Sequence, residues 1–136
     1  MDDCIFCKIV KGEIPSSKIY EDDFTIAFLD ISPINKGHAL VIPKKHFSDI
    51  HDLPVEEMRN VGAAVKKVAD AIKAVTGAPG INVLQANGKE AGQEVMHFHA
   101  HIIPRFENDG SGMKWPKKEY QENEMNSLAE KIRSKL

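Results

Sequence analysis

Half of the six histidines fall within five residues: His97, His99 and His101 alternate in the stretch MHFHAHII, residues 96–103. In an extended chain, side chains at i, i+2 and i+4 share one face. The spacing predicts three imidazoles in a row, with Phe98, Ala100 and Ile102 turned the other way, into the core. At about 3.3 Å per residue, His97 and His101 start about 13 Å apart. A zinc ion sits only about 2.0–2.1 Å from each ligating nitrogen. Two neighbours can converge on one ion, but three along a regular strand cannot do so without a bend. The three rings are therefore expected to hold different jobs.

Neutral imidazole attacks phosphorus well and gives a covalent phospho-histidine. Its unperturbed pKa of about 6.5 leaves it mostly neutral at pH 7. The oxygens on phosphorus gain charge as the bond forms and need donors around them. Gln93, the backbone N–H groups near Gly92 and His101 are candidates, and Gly92 lets the backbone approach a ligand closely. Asp30 ends a strand before a loop. It can accept from a ribose hydroxyl pair or cap the turn before Ser32-Pro33, and both readings stand.

A second cluster begins at Cys4-Ile5-Phe6-Cys7, which has the spacing of half a zinc site. The redox reading of Cys-x-x-Cys needs a preceding strand, and only three residues precede Cys4. Two more ligands would be required, and His46 and His97 are candidates. The plain alternative is two reduced cysteines packed as small apolar residues.

These residues need elements to position them. Residues 18–23 and 24–30 read as a hairpin, and 31–37 as a loop broken by Pro33 and Gly37. Residues 38–46 form an apolar strand ending at Pro43. Residues 53–76 are the clearest helix, with Met58, Val61, Val65, Val68, Ile72 and Val75 in one stripe. Pro54 stands in its first turn, and Gly77 and Pro79 end it. Lys66, Lys67, Asp70 and Lys73 make the solvated face. Residues 81–87 and 95–106 read as further strands, separated by the loop 88–93. A last amphipathic helix carries Leu128, Ile132 and Leu136. Strands, long helix, strands, helix is an α+β order, an antiparallel sheet with helices packed on it.

The 136 residues suit a single domain over 1–136, with 42% hydrophobic and 28% charged residues. The net charge of -2 offers no basic field for a nucleic-acid polymer or an anionic membrane. No apolar run approaches the roughly 18–20 residues that span a bilayer. The acidic first residues lack the pattern of a secretory signal, and a cytoplasmic protein is expected. His51, just before the long helix, reads as a surface residue without a function.

The motifs taken together resemble the Hint-like branch of the histidine-triad (HIT) superfamily of nucleotide hydrolases and transferases. HFHAHII fits its His-x-His-x-His pattern followed by two apolar residues. IFCKIVKGEIP, YEDD, AFLDISPINKGHALVIPKKH, AGQEV and KWP extend the match to Trp115. The resemblance implies a five-stranded antiparallel sheet, a HIT-domain core over 3–116 and a helical C-terminal extension over 117–136. It also implies a homodimer, with the long helix and a sheet edge at the interface. By the family pattern His99 is the nucleophile at the α-phosphorus of a purine nucleotide, and water then hydrolyses the nucleotidyl-histidine. His101 contacts the phosphate and His38 orients the nucleophile. Asp30 is similar to the ribose-binding acid. Ile5, Phe6, Ile9, Ile14, Phe28 and Ile31 resemble the pocket for the base, and Asn87, Gly92 and Gln93 match positions near the phosphate and leaving group. Members with Cys-x-x-Cys hold a structural zinc, which maps to Cys4, Cys7, His46 and His97.

One position departs from that pattern. Residue 94 is Glu where Hint-type members carry Ser or Thr beside the leaving group. A carboxylate there would repel a polyphosphate and favour a neutral or cationic amine, unless it points away. The expected activity is a nucleotide phosphoramidase or nucleoside polyphosphate hydrolase. The alternatives are a purine-nucleotide-binding or scaffold protein with little catalysis, and a hydrolase whose zinc activates water. A closed Cys/Cys/His/His site has no open position for that water.

Overall fold

A computed structural model describes residues 3–112 and 115–136. Met1, Asp2 and Lys114 of the Lys-Trp-Pro match lie outside the described residues. The elements run α1 (Ile5–Val10), β1 (Lys18–Glu21), β2 (Thr25–Leu29), β3 (Ala39–Pro43), α2 (Val55–Thr76), β4 (Gly80–Gln85), β5 (Ala100–Arg105) and α3 (Glu124–Arg133). The five strands form one antiparallel sheet in the order β1-β2-β3-β5-β4. This is the α+β architecture expected.

β3 is central and buried along its whole length. Its alternating side chains feed two cores, which is why Ala-Leu-Val-Ile-Pro reads as an unbroken apolar run. Ala39 and Val41 pack under α2 with Ala27, Phe98 and Ile102, against Val61, Ala64, Val68 and Ile72 of the helix. Leu40 and Ile42 face the other way, with Ile26, Phe28 and Phe6 of α1. α2 ends where Gly77 takes φ +69° and returns its N–H to the Lys73 carbonyl. Glu56 and Glu57 in its first turn and Lys73 in its last complement the helix dipole.

Two sequence expectations shift here. Met58 and Val75 leave the buried stripe of α2, at 42% and 87% exposed, and Ala64 joins it. At 100° per residue Met58 sits about 70° from the mean direction of Val61 and Val68, on the side opposite to Ala64. Val75 lies in the last turn, beyond Ile72, the final helix residue buried against the sheet. The C-terminal helix forms, but Leu128 and Ile132 stay exposed, as does Leu136 beyond its end. Among the described residues no helix is long and apolar enough to cross a membrane.

The third shift concerns the histidines. The strand expected over 95–106 is only 100–105, so His101 alone lies in it. Val41 pairs with Ala100, and there the ladder between β3 and β5 ends. Beyond it β3 closes on Pro43, which has no N–H to offer. The backbone ahead of Ala100 finds other partners, with the Phe98 N–H donating to the Phe47 carbonyl at 2.6 Å. Alternating residues mimicked a strand that the neighbouring strand could not continue to pair.

Candidate active site and metal centre

The bend separates the histidines into two groups. His97 is fully buried and turns toward α1. Its Nδ1 lies 3.4 Å from Cys4 Sγ and 3.5 Å from Cys7 Sγ, and His46 Nδ1 is 3.4 Å from Cys7 Sγ. The four ligand atoms all lie within 4.8 Å of one another. Zinc with Zn–S of about 2.3 Å and Zn–N of about 2.1 Å in a tetrahedron has S···N edges of about 3.6 Å. The donor set therefore fits that ion in kind, number and spacing. His97 Nε2 lies 2.9 Å from the Pro43 carbonyl oxygen. A carbonyl only accepts, so Nε2 carries the hydrogen and Nδ1 is left as the ligating lone pair. Burial, the largest cause, pushes the His97 pKa down to about 4, and burial also raises the Cys7 thiol.

The second group is His38, His99 and His101, joined by Asp30. His99 Nδ1 is 2.7 Å from the His97 carbonyl oxygen. By the same argument Nδ1 is protonated and Nε2 is a free lone pair. The Ile34 N–H donates to His38 Nδ1 at 3.1 Å. His38 then carries its hydrogen on Nε2, 2.9 Å from His101 Nδ1. That assigns the remaining hydrogen of His101 to Nε2. The Ile34 N–H thus fixes the tautomers of His38 and His101, leaving His101 a donor, while the His97 carbonyl leaves His99 an acceptor. Their rings lie 5.0 Å apart, centroid to centroid. Burial, above all, pushes His101 down to about 4, with the His99 and His38 rings adding to it and Asp30 opposing. Burial also lowers His38.

His99 and His101 line one end of a cavity of about 580 Å³. Ile5, Phe6, Ile9, Phe28, Ile31 and Asp30 line it too, as does Gly92. Across the sheet, Phe28 pairs with Leu40 and Leu40 with His101, so these side chains share one face. Phe6 presents its ring in T-shaped contact to both Phe28 and His99. The result is an apolar chamber with a lone pair, an N–H donor and a carboxylate at its polar end. Asp30 caps its turn, Oδ1 accepting from the Ser32 N–H, while Oδ2 stands 3.6 Å from His38 Nε2.

Four expected residues sit elsewhere than their roles required. His38 is bonded to His101, not to His99; the group that holds His99 is the His97 carbonyl. Gln93 is buried and spends both amide hydrogens on the Ser48 and Val95 carbonyls, while its oxygen accepts from Gly88 N–H. It holds the 88–93 loop shut and has no donor left for a phosphate. Asn87 accepts from the Ile50 N–H and exchanges bonds with Gln85, outside the cavity lining. Ile14 is also absent from the lining, and Pro15 and Ser16 take its place. Residues not singled out from sequence include Leu40, Ile34 and Val95. The alternation of β3 signalled Leu40; the loop residue Ile34 carried no periodic signal. Glu94 lines this cavity and also a second one of about 410 Å³ beside Asp3, Cys4 and His46.

Comparison with known proteins gives the same constellation a family. The HIT-domain family model matches residues 11–108. The adenosine 5'-monophosphoramidase of the fission yeast Schizosaccharomyces pombe is 48% identical, over 98% of either chain. The crystal structure of a HIT family protein from Bacillus subtilis superposes with a TM-score of 0.93 at 43% identity, covering 98% of this chain and 97% of the other. A zinc-bound histidine-triad protein from Mycobacterium smegmatis matches over 99% of both chains, with a TM-score of 0.78 and 34% identity.

Proposed function

The chain belongs to the HIT-domain family, and from that premise we propose that it hydrolyses nucleoside phosphoramidates at the α-phosphorus through a nucleotidyl-histidine. The observation that carries the proposal is the pair of opposed tautomers. His99 offers a lone pair from a ring held at its far nitrogen, and His101 offers an uncharged N–H beside it. The name of the fission yeast relative supplies the substrate class.

In the first step the His99 Nε2 lone pair attacks phosphorus and the bond from phosphorus to the leaving nitrogen breaks. That nitrogen takes up a proton from solvent and departs as an amine. His99, now bonded through Nε2, keeps its Nδ1 hydrogen on the His97 carbonyl, which disperses the positive charge of the ring. His101 Nε2–H donates to a phosphoryl oxygen as charge builds there. Water then attacks phosphorus, the P–Nε2 bond breaks, and the water gives up a proton to solvent, balancing the one taken by the leaving nitrogen; a nucleoside monophosphate and neutral His99 result. The apolar chamber of Ile5, Phe6, Ile9, Phe28 and Ile31 takes a purine base by stacking and burial, and Asp30 accepts from the ribose hydroxyls.

Cys4, Cys7, His46 and His97 would hold zinc as a structural ion. Bound there, it supplies a cross-link between α1, which walls the base chamber, and the segment that carries His99. The open edge of β4 with exposed Val83, and the exposed Met58 and Val55 of α2, support a homodimer. A cytoplasmic location agrees with the thiol chemistry of the cysteine pair.

The test is turnover of adenosine 5'-phosphoramidate with rapid-quench intact mass analysis. A transient adduct of one nucleotidyl group on the wild-type protein, absent from His99→Ala, is expected. Turnover without any adduct, or turnover by His99→Ala, would defeat the proposal.

A further inference from the structure

The tautomers of His38 and His101 rest on a single backbone N–H, that of Ile34, and Ile34 lies in the loop between β2 and β3. Something must hold that loop. Its two ends are tied by the Asp30 N–H donating to the His38 carbonyl at 2.9 Å, and His38 N–H returns to the Asn35 carbonyl at 3.0 Å. Its tip is held from outside. The two hydrogens of the Asn35 amide go to the Pro104 carbonyl at 2.9 Å and to Asp109 Oδ2 at 2.8 Å.

Asp109 is built for this. Its side chain is 8% exposed and takes Arg105 Nε on Oδ2 at 2.8 Å and Arg105 Nη2 on Oδ1 at 2.9 Å. It also accepts the Phe106 and Ser111 N–H groups, and Arg105 reaches Asn82 of β4 at 2.8 Å. Arg105, the first cause, together with these N–H donors holds the Asp109 carboxyl well below the usual carboxylate range. Beside the clamp, Gly37 adopts φ +102°, and a Cβ there would meet Thr76 Cγ2 at 3.0 Å. The loop is therefore held to β5 at Pro104 and to Asp109, which Arg105 braces against β4, and it runs close to the end of α2; Asn35 and Asp109 are not among the cavity-lining residues.

We propose that Asn35 and Asp109 are positioning residues, which act through the Ile34 N–H to set the tautomers of His38 and His101. The inference rests on the phosphoryl-transfer reading for its effect on rate, but its structural content stands apart from it. Release the clamp and the Ile34 N–H is no longer held against His38 Nδ1. His38 is then free to carry its hydrogen on Nδ1, with Nε2 accepting. His101 must answer with Nδ1–H and present a bare Nε2 lone pair to the phosphoryl oxygens. The acceptor that results repels the charge the donor was there to receive.

The test uses the full chain with its metal, labelled with 15N at histidine. Asn35→Ala is the first variant and Asp109→Asn the second; a third, Asn35→Gln, retains an amide that can reach the same acceptors. Imidazole 15N shifts should show His38 protonated at Nε2 in the wild type and mixed between its nitrogens in Asn35→Ala. The value of kcat for adenosine 5'-phosphoramidate should fall roughly tenfold, part of the effect of losing one such donor, with KM within about twofold. Asn35→Gln should recover both readouts in part. If Asp109→Asn fails to fold, Asn35→Ala decides alone. Unchanged His38 and His101 tautomers in folded Asn35→Ala would overturn the inference. A wild type without turnover but with the expected tautomer change would overturn the proposed function and keep the clamp.

Discussion

The Nδ1 atom of His99 stands 2.7 Å from the carbonyl oxygen of His97. One residue's backbone thereby fixes the proton of the other's ring, while the side chain of the first serves a different centre. Because the donor is Nδ1, only Nε2 can act as nucleophile. His99→Ala and His99→Gly are expected to reduce adenosine 5'-phosphoramidate turnover to background while nucleotide binding, read by calorimetry, persists. Turnover near the wild-type rate in either variant would show that another group attacks phosphorus.

Across the site His101 supplies a donor and no charge. Its replacement by Ala should lower kcat by roughly 10²–10³, the usual loss for one preorganised donor at a developing oxyanion. Substrate affinity should change little, because the bond strengthens chiefly in the transition state. Steady-state kinetics separate the two, and a rise in KM with kcat intact would reassign His101 to binding.

The sequence made some of this legible and hid the rest for identifiable reasons. The length of α2 and the double burial of β3 follow from apolar patterning, which is a local property. That no single ion takes all three histidines also followed from strand spacing, but which histidine takes which job came only with the family resemblance. The bend that achieves the division was invisible. His97-Phe98-His99-Ala100-His101 alternates perfectly, and only the end of the ladder at Val41 and Ala100 stops it being a strand. The partners of Gln93 were hidden for another reason. An amide near a glycine loop has the right donors for a phosphate, but whether it spends them on its own loop depends on carbonyls 45 residues away, such as that of Ser48. The clamp from Asp109 to Asn35 spans 74 positions and leaves no local trace.

Burial keeps His101 neutral, down to about 4, and lowers His38 as well, which makes stability depend on pH. Unfolded histidine titrates near 6.5. Between pH 6.5 and about 4 the unfolded chain therefore binds protons that folded His101 does not. The contribution is full above pH 6.5 and is lost as the pH falls toward 4. Each such proton adds a slope of about 1.4 kcal/mol per pH unit. Urea midpoints at pH 7, 6 and 5 should fall progressively, and more gently in His101→Asn. An equal slope in that variant would mean that His101 is not the titrating group.

The candidate zinc ligands and the proposed catalytic histidines share the segment 97–101 but no side chain. Zinc bound by Cys4, Cys7, His46 and His97 would tie α1 to that segment, so its removal should act on stability first. Elemental analysis should find close to one zinc per chain, and Cys7→Ala or His46→Ala should lose it. A chelator should lower the melting temperature, while the protein that stays folded keeps most of its kcat. Immediate loss of catalysis in a folded, metal-stripped protein would place the ion in the reaction itself.

Glu94 offers the last test, because it lines both the cavity that holds His99 and His101 and the second cavity beside Asp3 and His46. In the proposed reaction a leaving group that extends past the α-phosphorus on that side would meet its carboxylate. A polyphosphate would be repelled there, whereas an amine, neutral or cationic, would not. Glu94→Ser removes the charge and leaves the two histidines and their carbonyl and amide partners in place. The ratio of kcat/KM for a dinucleoside polyphosphate over a phosphoramidate should rise about tenfold, equivalent to about 1.4 kcal/mol. The change should shrink as salt is added, because a partly solvated carboxylate is screened. A ratio indifferent to both the substitution and the salt would mean that Glu94 turns away from the leaving group and that specificity is set elsewhere.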